Sequence, residues 1–351
     1  MTPELELDFI VPGNPQIKTG GYIYDHRIIE GLTKLGWQVK VHSFDPSFPF
    51  PTKKALKSAR EILHKISSGN LVIIDGLALG GMPNLIEEQK ERLRIMALVH
   101  HPLALETGLS NQERTVLHQS EKRCLSMIKQ IFVTSQWTKK QILKFSKSNN
   151  KIHVVVPGTD RADLAHGSKG DLVNMLCVAT LTPRKGHLIL FNALEKLPKN
   201  SWHLYCVGSL ERDSKTVKKL RSQLERLKLT EHITLVGEVN LKDLSAYYDN
   251  TDLFVLASHL EGYGMVISEA IARGLPVICT SAGAVSETIA ADAALLVPEG
   301  DSIKLSNALL EAINDRNVLI KLANKSRAVR NKLPTWNESC NKFSKILREI
   351  N

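Results

Sequence analysis

The feature that most constrains this chain is an almost unbroken alternation of short apolar runs with longer amphipathic ones. Short apolar runs bounded by turn residues read as buried strands, and the 3.6-residue repeats between them read as helices. A chain patterned this way is satisfied by parallel sheets covered by helices on both faces, a doubly wound α/β arrangement. Strands are predicted at 5–11, 39–44, 71–75, 95–99, 130–134 and 153–156, then at 173–179, 202–207, 233–236, 253–256, 277–279 and 294–297. The first ends in Pro12-Gly13. The pair Gly20-Gly21 then opens a helical pattern that runs to about Leu35 and stops at Gly36.

One interruption divides the pattern. After Val156 come Pro157-Gly158-Thr159-Asp160 and the polar, glycine-containing stretch 165–170, which reads as a linker. A length of 351 residues also favours two domains, at roughly 100–200 residues each. The expected division is therefore 1–165 and 166–332, with a final helical segment, 333–351, beyond the break at Leu333-Pro334. Two such units would face each other across a cleft, and ligands of parallel sheets bind outside the carboxyl ends of the strands.

Composition removes several classes. The five cysteines, Cys124, Cys177, Cys206, Cys279 and Cys340, are scattered with no CxxC pair, which predicts core thiols in a reducing compartment. The first residues lack the basic segment and long apolar core of a signal peptide. No apolar run approaches the ~18–20 residues that span a bilayer. A cytoplasmic location is expected. The net charge of +10 favours anionic partners.

The stretch from Ser258 to Ile278 is richest in chemistry. It follows the apolar strand at 253–256. Gly262 and Gly264 uncover backbone where a helix starting near Met265 would present free N–H groups, which suits a phosphate or diphosphate. Glu261 precedes the glycines and Glu269 follows eight residues after it, and two carboxylates can accept bonds from the hydroxyls of a ribose and a sugar ring. Spacing alone equally allows a helix with an exposed carboxylate at each end and a turn that needs glycines. The Gly-x-Gly does not extend into a full GxGxxG fingerprint.

The run Glu261-Gly-Tyr-Gly, then Glu269-Ala, then Gly274-Leu-Pro-Val-Ile278, resembles the signature of the retaining glycosyltransferases of family 4, whose fold is called GT-B. Val178-Ala-Thr-Leu-Thr-Pro-Arg-Lys-Gly-His187 resembles the family's "G-R-L-…-K-G" loop. Leu235-Val-Gly-Glu-Val239, Ala282-Gly-Ala-Val-Ser-Glu287 and the stretch 295–298 resemble further family segments. In the first half, Thr19-Gly-Gly-Tyr22 resembles the glycine loop facing the donor, and Val99-His-His-Pro102 falls where the family often has a histidine. The likeness covers most of the chain, with the second half more specific.

The resemblance implies two Rossmann-like domains, the first on the acceptor side and the second holding a nucleotide-diphosphate sugar, with the last helix crossing back to the first. Glu269 would bind the ribose hydroxyls and Glu261 those of the donor sugar. Gly262, Tyr263, Gly264 and Met265 would offer backbone to sugar and phosphates, and Lys185 would neutralise the diphosphate. Gly20 and Gly21 would let the first domain's loop approach the donor, and Glu238 would lie near the base. Thr180 stands where the family usually has a diphosphate-binding arginine, and Arg184 is the residue that could supply that charge. Of His100 and His101, His101 is the favoured contact residue. Adjacent strand residues point to opposite faces, so the two would not chelate one metal. No DxD-type pair stands at a strand end, and neither a metal nor any other cofactor is expected. The implied reaction moves a hexose to a hydroxyl acceptor with anomeric retention, a UDP-sugar being favoured over GDP-mannose as donor. The alternatives are a silent nucleotide-sugar-binding subunit and a nucleotide-sugar epimerase.

The positive charge is uneven. Between Arg114 and Lys151 there are nine Lys or Arg against one acidic residue, Glu121, and Lys53, Lys54, Lys57, Arg60 and Lys65 face only Glu61. Ile142, Leu143 and Phe145 interleave with the first cluster as in a helix that lies on an anionic leaflet. The same run also reads as an ordinary solvated face. A peripheral site on the inner membrane, with a lipid-linked or cell-surface glycan as acceptor, is one expectation. Few aromatics interleave with the basic runs and no nucleic-acid-binding motif appears, so nucleic acid is not an expected partner.

Overall fold

A computed structural model of the chain describes residues 5–146, 150–289 and 293–350. Two compact units form: residues 1–158 with 334–351, and residues 159–333. The elements of the first run β1 (Glu6–Pro12), α1 (Gly20–Lys34), β2 (Gln38–Phe44), α2 (Lys53–Lys65), β3 (Leu71–Asp75), α3 (Gly76–Leu79), α4 (Pro83–Gln89), β4 (Arg94–Val99), α5 (Asn111–Ser126), β5 (Gln130–Val133), α6 (Gln136–Leu143) and β6 (Lys151–Val154). The second contains β7 (Val173–Val178), α7 (His187–Leu194), β8 (Trp202–Val207), α8 (Ser214–Arg226), β9 (Ile233–Gly237), α9 (Leu241–Asp249), β10 (Leu253–Leu256), α10 (Met265–Ala272), β11 (Val277–Thr280), α11 (Val285–Thr288), β12 (Leu295–Val297), α12 (Ser302–Asn314) and α13 (Arg316–Val329). The last helix, α14 (Trp336–Ile350), belongs to the first unit.

Each apolar run forms a strand within a residue or two of its expected place, and every strand pairing is parallel. The first sheet has the order β2-β1-β3-β4-β5-β6 and the second β12-β11-β10-β7-β8-β9. Strands β3 and β10 are buried at every residue, as fits central strands covered on both faces. In the first sheet the order reverses between β1 and β3. In the second it reverses between β7 and β10. At such a switch point the loops leaving neighbouring strands run to opposite faces, which opens a crevice at the carboxyl ends.

Helix α14 packs on α1. A Cβ on Gly31 would stand 2.1 Å from Cys340 Sγ, so only glycine admits this approach. Phe343 stacks on Phe132 of β5 with centroids 4.1 Å apart, and Trp37 Nε1 donates to Ser344 Oγ at 2.9 Å. The stretch 159–170 is tied to the second unit. Ala165 N donates to Arg273 O and Gly167 N to Asp249 O, both at 2.9 Å, while the Arg330 guanidinium donates to Ala162 O. The division thus falls ahead of the 165/166 break that glycine content suggests, because these backbone bonds hold the connecting segment. All five cysteines are buried and unbridged. Among the described residues, no helix is long and apolar enough to cross a membrane.

Candidate active site

The switch point of the second sheet collects the residues the sequence singled out. The loop after β7 carries Arg184, Lys185 and Gly186, and the loop after β10 carries residues 258–264. Gly186 adopts φ +65°, and a Cβ there would lie 1.9 Å from Ala257 O. No side chain fits, so the two loops touch through backbone. His259 N donates to Arg184 O at 2.7 Å and fastens them further.

Lys185 Nζ donates to Glu261 Oε1 at 2.6 Å, and Ser258 Oγ donates to the same oxygen at 2.6 Å. Arg184 Nη1 lies 3.8 Å from Glu261 Oε2 and donates to Leu260 O at 2.8 Å. Burial alone would raise the Glu261 carboxyl. The charges of Lys185 and Arg184 and the bonds from Lys185 and Ser258 outweigh it and hold the group below its ordinary range. The same burial, with Arg184 alongside, pulls the Lys185 ammonium down, against the pull of Glu261. Two cations and one carboxylate thus share a small, largely dry space. Arg184 occupies this space although Thr180, on the same loop, carries no charge.

Residues 262–264 lead into α10, whose N-cap is Gly264 at φ +94°. The Tyr263 carbonyl accepts from Thr288 Oγ1 at 2.5 Å, and Ala284 N donates to Glu261 O at 2.9 Å, so this turn is braced by α11 and the residue that caps it. Met265 is the first helical residue. Glu269, on α10, accepts from Tyr248 OH at 3.0 Å. Glu238 is exposed just past β9, two strands from β7.

The first unit has a cluster of its own, also at a switch point. Gly20 and Gly21 begin α1, and the ring of His100, just past β4, lies against Gly21, with Cδ2 3.2 Å from where a Cβ would stand. His100 Nε2 sits 3.1 Å from Asp25 Oδ1 and 3.2 Å from Asp75 Oδ2. Burial would drive the imidazole down, but the two carboxylates outweigh it and push its pKa up to about 10. Burial also pushes Asp25 up to about 6, against His100 and helped by Asp75. Their ligand atoms all lie within 4.8 Å of one another, the one grouping among the described residues able to hold a metal ion, although mutual ion pairing accounts for the contacts. His101 turns instead to Glu106, 3.2 Å away.

Four of these residues were not singled out from the sequence. Asp75 had a signal, since a carboxylate ends an otherwise wholly apolar strand. Ser258, Tyr248 and Asp25 had none, because their partners lie elsewhere in the chain or, for Ser258, across a turn.

The basic run lies on α5, α6 and β5–β6 of the first unit. Lys122, Lys129, Lys140, Lys144 and Lys151 are exposed, as are Val116 and Leu143, while Lys147 lies outside the described residues. Arg114 donates to Ala104 O at 2.5 Å, and Arg123 pairs with Glu87.

Two units, each a parallel sheet with flanking helices and each with a polar cluster at its switch point, define a GT-B architecture. The same fold appears in solved structures of similar size. Sucrose-phosphate synthase from Thermosynechococcus elongatus superposes with a TM-score of 0.84 at 20% identity, with 99% of each chain covered. Anabaena HepE, in complex with UDP and glucose, gives 0.77 at 18% identity over 99% of this chain and 100% of its own. Residues 159–329, nearly all of the second unit, match the family model "Glycosyl transferases group 1". Among curated proteins, the GDP-mannose-dependent alpha-(1-6)-phosphatidylinositol monomannoside mannosyltransferase of Mycobacterium tuberculosis is 26% identical over 189 residues, 51% of this chain. That match spans 48% of the relative's own length.

Proposed function

We propose that this protein is a glycosyltransferase that moves a hexose from a nucleotide-diphosphate sugar to a hydroxyl acceptor, with retention of anomeric configuration and without a divalent metal. The observation that carries this reading is the convergence of Lys185, Arg184, Ser258 and Glu261 beside the N-terminus of α10, at the switch point of the second sheet. Cleaving the anomeric bond leaves negative charge on the diphosphate, and preorganised cations and N–H groups in a dry site are the largest stabilising influence on such a leaving group. Lys185 and Arg184 would take this role, with the amides of residues 262–265. Glu261 would accept the sugar hydroxyls and Glu269 the ribose hydroxyls, with Glu238 at the base.

With the donor absent, Glu261 is the counter-ion of Lys185. Diphosphate would then take over Lys185 and release the carboxylate towards the sugar. Retention by front-face attack, with the leaving phosphate helping to deprotonate the acceptor, requires no enzyme nucleophile. UDP-sugars are the favoured donors, in keeping with the UDP in the HepE structure, and GDP-mannose is next, in keeping with the mycobacterial relative's name.

The first unit would take the acceptor. Its exposed lysines with Val116 and Leu143 between them suit an anionic or lipid-linked acceptor at the cytoplasmic face of a membrane. The His118 ring packs edge-on against Phe145 at 5.1 Å, which joins α5 to the end of α6 in one surface. Within this unit, His100 is better placed than His101 to meet a donor, since it stands against Gly21.

The deciding experiment incubates purified protein, in chelator, with UDP-, GDP- and ADP-sugars, and follows nucleoside diphosphate release and the anomeric form of any product. Selective release from one donor, lost in Glu261→Gln and in Lys185→Ala, is expected. Binding of no nucleotide sugar at all would overturn the reading. Co-sedimentation with anionic vesicles at low salt tests the membrane part; equal sedimentation with neutral vesicles would refute it.

A further inference from the structure

Tyr248 is the second residue from the end of α9, yet it is wholly buried, with its ring stacked near Phe254 at 6.0 Å between centroids. Its hydroxyl lies 3.0 Å from Glu269 Oε2 and 3.4 Å from Val266 O. A phenol has one proton to donate, and the carboxylate is both nearer and charged, so the bond goes to Glu269. The Arg273 guanidinium stands over the other part of this arrangement, 4.4 Å from the Tyr248 ring centroid, and its Nη1 donates to Glu269 O at 3.1 Å. Burial and the nearby Glu269 push the phenol's pKa far up, which keeps its proton in place. A half-buried glutamate on a helix normally has several side-chain rotamers. This one is fastened at its tip by the hydroxyl of a wholly buried ring and at its backbone by the residue that covers that ring.

We propose that Tyr248 is the positioning residue of the ribose-binding carboxylate: its bond to Oε2 sets the plane of the Glu269 carboxylate so that it meets the vicinal 2′- and 3′-hydroxyls of the donor nucleotide. The inference rests on the glycosyltransferase reading above and extends it to a residue that touches no substrate. Its consequence is specific. Ribose binding is the same in ground and transition states, so losing the orientation raises KM for the donor and leaves kcat in place.

The test compares the nucleotide sugar selected in the donor panel with its 2′-deoxy analogue. The wild type is expected to prefer the ribose form. Tyr248→Phe, which removes one oxygen and keeps the ring, is expected to shrink that preference about three- to tenfold through KM, the size of one ordinary hydrogen bond's net contribution. Glu269→Gln is expected to abolish it. Arg273→Gln loosens the same ring and supplies the measurement should Tyr248→Phe not fold; a smaller shift in the same direction is expected. If Tyr248→Phe keeps the wild-type ratio while Glu269→Gln loses it, the positioning role is refuted and the donor reading stands. If Glu269→Gln keeps the ratio too, the assignment of Glu269 to the ribose fails, and the inference fails with it.

Discussion

Lys185 and Glu261 stand 76 positions apart in the chain and share a 2.6 Å hydrogen bond between the loops after β7 and β10. Both are largely buried, with side chains 15% and 7% exposed. Removing one partner of such a pair leaves the other charge without compensation, which costs more than the pair contributes when whole. Lys185→Met is therefore expected to destabilise the protein by about 2–4 kcal/mol, Arg184 and Ser258 offsetting part of the loss. The double variant Lys185→Met/Glu261→Gln should recover most of that stability and none of the transferase activity. Urea unfolding and product assays on the three proteins make the comparison; a double variant less stable than the single would contradict it.

Gly186 tests the backbone that brings the loops together. Alanine at this position meets Ala257 O at 1.9 Å, and the φ of +65° is unfavourable for it as well. Gly186→Ala should lower the thermal midpoint clearly, by an amount corresponding to roughly 2 kcal/mol or more, and should reduce donor affinity because Lys185 is displaced. An unchanged midpoint would mean that the loops separate at little cost.

The imidazole of His100 gives a pH signature to the first unit. Its folded pKa of about 10 lies above the ordinary histidine range. The stability it contributes is therefore complete below about pH 6.5 and is lost as pH rises through about 10. Thermal midpoints of wild type and His100→Gln should converge across that window. Histidine NMR titration gives the direct check: a His100 signal moving near pH 6.5 would rule out the carboxylate clamp.

Glu121 also loses stability as pH rises, but because burial favours its uncharged form. It is buried at 1% exposure, accepts from Leu103 N at 3.1 Å, and burial pushes its pKa up to about 8, with that one bond opposing. Between the ordinary carboxylate range and about pH 8 the folded protein binds more proton than the unfolded chain at this site, so stability falls as pH rises. Glu121→Gln removes the dependence. It should match the wild type at acidic pH, exceed it increasingly up to about pH 8, and keep a constant margin above. Midpoints measured from pH 5 to 9 check this; a constant difference throughout would show that Glu121 is ionised in the fold.

Strands, helix starts and the glutamate pair were legible in the sequence because each is a local pattern. An apolar run such as 71–75 marks a buried strand whatever surrounds it, and the glycines before Met265 mark a helix start by their neighbours alone. The same local reading marked Glu261 and Glu269, whereas Lys185 was named through the resemblance to the family's loop. Strand order is not local. Nothing within β7 or β10 states that they are neighbours, and that adjacency is what places Lys185 on Glu261. The partners of His100 and His101 were not legible either: the structure sets His100 between Asp25 and Asp75 and leaves His101 to Glu106. Tyr248 had no marking of its own, since its role comes from a helix 21 positions away. The sequence by itself determined which segments are strands and which residues are chemically equipped. The tertiary structure decided which of them meet, because contacts between distant segments are set by sheet order and by the packing of whole elements.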